Sequence, residues 1–167
     1  MKKTILKTAV IALSLLFFCG CSGSENAKTP EAFSASVKAT FFDMEYSFDL
    51  TKEQTGVYMI TVGSPDSLKG MVVKYSEDKT VLSLNGVENT LEFKEQNSVF
   101  SLLTGVLDDS SLPDRLTFVS KNKGSAIFSG SLNGKPYKIT YKGGDVEKIS
   151  IAGTLEAQFE KKLPSKP

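Results

Sequence analysis

The chain has 167 residues, 40% of them apolar, with 20 basic and 19 acidic side chains. This length and composition are typical of one globular domain and exclude a disordered or collagen-like chain. Lys2, Lys3 and Lys7 all stand at the N-terminus, so the rest of the chain carries a small acidic excess without a basic stripe. That balance gives no electrostatic support for binding nucleic acid.

Histidine and tryptophan are absent, and the only two cysteines are Cys19 and Cys21. If the chain is cleaved before Cys21 and this sulfur is acylated, no pair of thiols remains for a disulfide. Zinc sites of cysteine or histidine, cysteine nucleophiles and histidine-based acid/base catalysis are excluded in the same way. We therefore expect no metal and no cofactor.

Residues 1–20 are predicted to form a signal peptide. Three lysines precede an apolar run at residues 9–18, which is half the length needed to span a membrane, about 20 residues. Phe18-Cys19-Gly20-Cys21 resembles the bacterial lipobox, and this resemblance implies a lipid, such as palmitate, on Cys21. The alternative is an ordinary secretory signal that leaves Cys21 as a free thiol.

The sequence after the leader predicts three parts. Residues 21–31 are small, polar and without periodicity, as in a flexible tether. A folded domain is expected over residues 32–162 and a C-terminal tail over residues 163–167. We expect the domain to be lipid-anchored on the extracytoplasmic face of the cell membrane, or at the outer membrane if the cell is Gram-negative.

Apolar and polar residues alternate from Phe33 onward, which predicts strands with one buried face. Asn85-Gly86 and Asn133-Gly134 are typical of two-residue hairpin turns, and they favour an antiparallel meander over βαβ units. Eleven strands are predicted, at residues 33–39, 44–50, 56–62, 71–75, 81–84, 90–93, 115–120, 125–132, 137–142, 147–152 and 154–160.

One segment has helical spacing instead of alternation, after Asn97 or Ser98 as a possible cap and before Pro113. Because its apolar residues share one face, we expect the helix to lie across a sheet. It is then either a permanent part of the core or a lid over a cavity. Its apolar residues are Val99, Phe100, Leu102, Leu103, Val106 and Leu107.

This order of elements resembles the LolA/LolB-like fold of bacterial lipoprotein-localisation proteins over residues 32–161, with a proline-containing turn and following strand at residues 64–75. The resemblance implies a mainly β fold, an antiparallel half-open barrel of about eleven strands with a helix across the concave face. It also implies that this face binds a lipid, an acylated protein or another hydrophobic ligand.

The family comparison further implies roles for single residues. In the membrane-anchored receptor of this family an apolar residue protrudes from a loop. Leu68 is expected to match that residue, unless it folds back onto its own sheet. In the carrier proteins of this family the helix forms a lid that is held partly by an arginine from an early strand. The first arginine of this chain is Arg115, which comes after the predicted helix. The resemblance therefore does not extend to the carrier's way of holding its lid.

The concave face is predicted to be lined by methionines and aromatic residues, which suit irregular apolar ligands. The alternative is that these side chains pack against the helix and leave no space. The predicted ligand-binding residues are Met44, Tyr46, Phe48, Met59, Leu68, Phe100, Leu103 and Phe118.

The acidic residues do not form a convincing catalytic set. Glu45 and Asp49 are expected on one solvated strand face, and Asp108, Asp109 and Asp114 in a loop that ends the helix. We therefore expect no enzyme and no catalytic residues. The alternative to ligand binding is a non-catalytic scaffold or envelope-assembly partner. The expected partners are the membrane, through the N-terminal lipid, a lipid or lipoprotein ligand, and another envelope protein.

Overall fold

The computed structural model describes residues 28–76, 79–92 and 97–162. Cys21, most of the predicted tether and the tail at residues 163–167 lie outside the described residues. Eleven antiparallel strands form one sheet. They are β1 (Phe33–Phe41), β2 (Met44–Gln54), β3 (Val57–Ser64), β4 (Val72–Ser76), β5 (Lys79–Leu84), β6 (Val87–Leu91), β7 (Thr117–Asn122), β8 (Ser125–Leu132), β9 (Lys135–Lys142), β10 (Asp145–Ile151) and β11 (Leu155–Lys161).

The sheet consists of two meanders, which are joined where the first strand, β1, pairs with the last strand, β11. Strands β1 to β6 pair in order, β7 to β11 pair in order, and β1 pairs with β11 in register from Ala35 opposite Lys161 to Phe41 opposite Leu155. The order across the sheet is therefore β6-β5-β4-β3-β2-β1-β11-β10-β9-β8-β7. Strands β6 and β7 stand at the two edges, so the sheet is open.

The period of two decides which face of the sheet is buried. On β1, Ala35, Val37 and Ala39 are buried, whereas Lys38 and Thr40, which directly follow Val37 and Ala39, are exposed. The same alternation continues on β2, β3, β9 and β11, so one face of the central strands is apolar and the other is polar. We call the apolar face concave and the polar face convex.

The predicted hairpin turns are confirmed by their backbone angles. Asn85 and Gly86 have φ values of 52° and 79°, and Asn133 and Gly134 have φ values of 51° and 77°. Such a pair of positive φ angles is what a two-residue turn needs to match the twist of its strands. Asn-Gly tolerates these angles better than other residue pairs, so it fixes the register of the two hairpins.

The predicted helix, α1 (Val99–Asp109), connects edge strand β6 to edge strand β7 and crosses the concave face. Ser98 is its N-cap: the Ser101 backbone N–H donates to the Ser98 Oγ at 3.1 Å, and the Ser98 N–H donates back to the Ser101 Oγ at 3.0 Å. This reciprocal pair satisfies two backbone donors at the helix start. The predicted fold class, a half-open antiparallel β-barrel with one helix across the concave face, is confirmed.

Candidate functional site

The concave face and α1 bury most of the core between them. Leu103, Val106 and Leu107 have no exposed surface, and the ring of Phe100 is 95% buried. Phe100 meets Phe48 edge-on, with ring centroids 5.2 Å apart, and meets Tyr46 at 6.1 Å. The structure thus brings together Tyr46, Phe48, Phe100 and Leu103 of the predicted set. With α1 in this position Phe48, Phe100 and Leu103 belong to one packed hydrophobic core, and Tyr46 packs against it.

The other predicted ligand-binding residues lie apart from this group. Met44, at the start of β2, is 53% exposed, and Phe118, on edge strand β7, is 50% exposed while its ring contacts Phe128 at 5.5 Å. Leu68 is part of a short 3-10 helix, Asp66–Leu68, and packs against the core. It therefore follows the alternative reading, in which it folds back onto its own sheet.

The placement of Met59 on the concave face is wrong. On β3 the buried side chains are Tyr58, Ile60 and Val62, so Met59 points to the convex face, where it is 40% exposed. Both faces of this strand carry apolar residues at its start, since Val57 and Met59 lie on one face and Tyr58 lies on the other. The alternation there does not identify the buried face unambiguously.

A set of hydrogen bonds ties the C-terminal end of α1 to β3 and β9. The Tyr58 hydroxyl donates to the Asp108 Oδ1 at 2.5 Å, and the backbone N–H of Gly56 donates to the same oxygen at 2.9 Å. The Tyr137 hydroxyl donates to the Asp109 Oδ2 at 2.6 Å. Both carboxylates of the last helical turn thus bind tyrosines, one from each half of the sheet. We call these bonds, with those of Lys52 and Thr29 described next, the C-terminal latch.

Lys52 is a buried part of this latch. Its side chain is 99% buried, and its Nζ donates to the Ser111 Oγ at 2.8 Å. The Ser111 hydroxyl in turn donates to the carbonyl of Leu107 at 2.7 Å. Burial lowers the pKa of Lys52, because the charged ammonium loses hydration, although the nearby Asp108 opposes the shift.

The N-terminal segment also joins the latch. Thr29 is 99% buried, and its hydroxyl lies 2.6 Å from the Ser110 Oγ and 2.8 Å from the Tyr141 hydroxyl. The Thr29 backbone N–H also donates to the carbonyl of Ser110 at 3.5 Å. The boundary predicted at residue 31 between tether and domain is therefore corrected, because Thr29 already belongs to the folded domain.

The latch tyrosines are held in their neutral form. Burial raises the pKa of Tyr58, and the negative charge of Asp108 raises it further. Burial and a hydrogen bond to Asp109 raise the pKa of Tyr137, and burial also raises that of Tyr141. A neutral phenol can donate to a carboxylate, so these shifts preserve the hydrogen bonds of the latch up to strongly alkaline pH.

The acidic residues take structural positions in the described part of the chain. Glu45 and Asp49 are exposed on the convex face, where Asp49 accepts from Ser36 at 2.9 Å and pairs with Lys162 at 2.7 Å. Asp108 and Asp109 end the helix instead of following it. Among the described residues, no group of three or more His, Cys, Asp or Glu side chains is placed to hold a metal ion. No helix in residues 28–162, where described, is long and apolar enough to cross a membrane.

No family model and no curated protein matches the sequence. The structure is similar to that of a LolA superfamily protein from Nitrosomonas europaea, with 9% identity and a TM-score of 0.45 over 85% of this chain and 90% of the other. It is also similar to an uncharacterized conserved protein from Thermus thermophilus, with 14% identity and a TM-score of 0.48 over 85% of this chain and 84% of the other. In the part of the chain that the structure describes, the strand order and the crossing helix are those of a half-open antiparallel barrel.

The latch was not predicted from the sequence, although the position of one of its residues, Lys52, could have been. Lys52 continues the alternation of Phe48 and Leu50 on β2, so its position already indicated the concave face. Tyr58 and Tyr137 gave no such signal, because their partners on α1 are 50 and 28 residues away in sequence.

Proposed function

We propose that this protein is a non-catalytic binding protein that takes an apolar chain, such as the acyl chain of a lipid or lipoprotein, onto its concave face when α1 moves aside. The observation that carries the proposal is the way α1 is held. No strand pairing depends on it, and the hydrogen bonds described between it and the sheet lie from its middle onward, at the Thr104 carbonyl, at Asp108 and Asp109, and at Ser111 just beyond its end.

The N-terminal half of α1 is held differently. Phe100 contacts the rings of Tyr46 and Phe48, and Leu103 is packed among apolar neighbours. Contacts of this kind are non-directional, so an acyl chain can replace the buried area that the helix leaves. Displacement of this half would uncover the apolar surface of β2 that Phe100 covers.

Uptake of a fluorescent fatty acid tests this proposal. The chain from residue 21, with Cys21→Ser, is titrated with cis-parinaric acid, and native mass spectrometry counts the bound molecules. We expect saturable uptake of one molecule per chain, with palmitate as a competitor. A protein that stays empty over the soluble range of the probe contradicts ligand binding.

A second candidate function is a scaffold that holds another envelope protein. The packing beneath α1 favours it, because Leu103 and Leu107 are both fully buried. Crosslinking in intact cells would then recover one stoichiometric protein partner. The same fatty acid titration separates the two functions, since a scaffold does not need to bind the probe.

Membrane anchoring through a lipid on Cys21 is part of the proposal. Its support is the lipobox-like sequence before Cys21 and the short distance in sequence from Cys21 to Thr29, where the folded domain has begun. Cells fed an alkyne-labelled palmitate should label the wild-type chain but not the Cys21→Ser variant. Equal labelling of both chains contradicts the anchor.

A further inference from the structure

A second concavity lies at one end of the sheet. It is a cleft of about 550 Å³ between the β1–β2 turn, the β10–β11 turn and the starts of β9 and β11. This volume lies in the usual range for small-molecule sites, about 300 to 1,000 Å³. The floor of the cleft is on the convex face, and Tyr137 of the latch also lines the cleft.

Five polar side chains form the floor of this cleft. They stand directly opposite one another on neighbouring strands, and each lines the cleft. Because neighbouring strands lie about 4.8 Å apart, the row places hydrogen-bonding groups at regular intervals across the sheet. In order across β8, β9, β10, β11 and β1, the cross-strand row is Ser129, Lys138, Ser150, Glu156 and Thr40.

An exposed aromatic ring forms one wall. Phe42 sits in the β1–β2 turn with a φ of 44°, and its side chain is 61% exposed. Its backbone N–H donates to the carbonyl of Thr154 at 3.1 Å, which joins the two turns that flank the cleft. Its ring lies against that of Phe41, with centroids 4.7 Å apart. The ring is therefore held at the cleft although most of it faces solvent.

The charges at the cleft are mixed. Lys138 is basic, while Asp43 and Glu156 are acidic, and Lys148 binds one oxygen of Glu156 at 3.1 Å. This balance does not favour an anionic ligand such as a phosphate. Hydroxyls, a carboxylate and an ammonium beside an aromatic ring match a neutral ligand that has many hydroxyl groups on its edges and C–H groups on its faces.

We propose that this cleft binds a carbohydrate, an extended β-1,4-linked glycan whose chain runs along the cross-strand row. The sugar repeat in such a glycan is close to the spacing between strands, about 4.8 Å, so successive rings can each face one strand. The C–H face of one ring stacks on Phe42, while ring hydroxyls bond to Thr40, Ser150 and Glu156. An α-1,4-linked glycan coils, so its successive rings do not keep this spacing along the row.

The position of the cleft in the molecule agrees with such a ligand. Thr29 fixes the entry of the N-terminal segment near the start of β1, and the cleft lies at the other end of that strand, about 27 Å away at the usual rise per residue. If the chain is anchored through Cys21, as the proposed function holds, the cleft faces away from the membrane. The glycan proposal itself does not depend on the apolar site.

Titration with matched tetrasaccharides tests the proposal. The chain from residue 21 with Cys21→Ser is labelled with nitrogen-15 and titrated with cellotetraose, chitotetraose and maltotetraose, and amide shifts are followed by NMR. We expect at least one β-1,4-linked glycan to shift the amides of Thr40, Phe42, Ser150 and Glu156. Maltotetraose, an isomer of cellotetraose, should bind at least about tenfold more weakly.

Two variants provide the comparison. Phe42→Ala should weaken glycan binding by about tenfold, whereas Phe118→Ala, which removes a similarly exposed ring on β7, should leave it unchanged. The proposal is overturned if neither β-1,4-linked glycan binds, if the shifted amides lie elsewhere, if maltotetraose binds equally well, or if Phe42→Ala has no effect. Parinaric acid uptake is measured on the same samples, so failure of one site is distinguished from failure of the other.

Discussion

Lys52 is a lysine buried among apolar strands, and its burial has a consequence for stability. Its pKa is lowered in the folded protein by the loss of hydration, whereas in the unfolded chain it has its ordinary value near 10.5. The unfolded state therefore binds more protons over the interval between the two pKa values. Stability contributed by this group rises with pH across that interval and is lowest when Lys52 is charged in both states.

Lys52→Met tests this interpretation. The variant removes a buried charge but keeps most of the side-chain volume, so we expect the free energy of unfolding at pH 7 to rise by about 1 kcal/mol. Urea unfolding of both proteins from pH 7 to 9.5 should show the wild-type value approaching that of the variant. Lys38→Met, at an exposed position on β1, serves as the control and should leave the pH profile unchanged. A constant difference between Lys52→Met and wild type at all pH values would contradict the account.

Single residues also show where sequence reasoning succeeds. The alternation of the strand correctly predicted that Phe48 is buried, and the helical spacing did so for Leu103, because both patterns are local and leave one apolar face. The alternation failed for Met59, because apolar residues occupy both faces of β3 there. Thr29 was assigned to a tether because its neighbours are small and polar, while its burial comes from Ser110 and Tyr141, far along the chain.

The two ends of α1 are held to the sheet by different kinds of contact. Its C-terminal end is held by the latch, and its N-terminal end depends on the Ser98 cap and on the apolar contacts of Phe100. The cap was predictable, since a serine directly precedes the apolar run. The latch was not, because it needs the two meanders to meet. The N-terminal half is thus the part of the helix that costs least to displace.

Ser98→Ala weakens the helix at that end. Loss of the cap costs about 1 kcal/mol, so the displaced state becomes more populated and the Kd for parinaric acid should fall about fivefold. Ser98→Asp keeps a capping oxygen and should bind like wild type. The measurement is the fluorescence titration of all three proteins. A higher Kd for Ser98→Ala would show that the intact helix forms part of the ligand site.

For the whole molecule, the pairing of β1 with β11 joins the two ends of the described chain and makes one sheet of two meanders. Hairpin turns and alternation predicted each meander, since both depend on neighbouring residues. The pairing of the first strand with the last has no local signal and was not predicted. The cross-strand row of the glycan cleft depends on this pairing, which is why the sequence did not reveal it.

The three tyrosines of the latch make the whole fold sensitive to alkaline pH. The pKa values of Tyr58, Tyr137 and Tyr141 are raised in the folded state. Their contribution to stability is fully present below the unfolded pKa, about 10, and is lost as pH rises above it. We expect tyrosinate absorbance from these three residues to appear together with loss of the circular dichroism signal. Full ionisation of all five tyrosines in a still folded protein would contradict the latch.

The most direct test of an apolar site beneath α1 is a reversible lock on the helix. A Cβ on Gly105 would lie 3.8 Å from the Leu132 Cγ on β8, which is near the position of the sulfur in a cysteine at residue 132, so we choose these two positions for a disulfide. In the Cys21→Ser chain, Gly105→Cys with Leu132→Cys is titrated with parinaric acid before and after reduction. The account predicts that the oxidised protein binds at least about tenfold more weakly and that reduction restores binding. Equal Kd values in the oxidised and reduced proteins would contradict it.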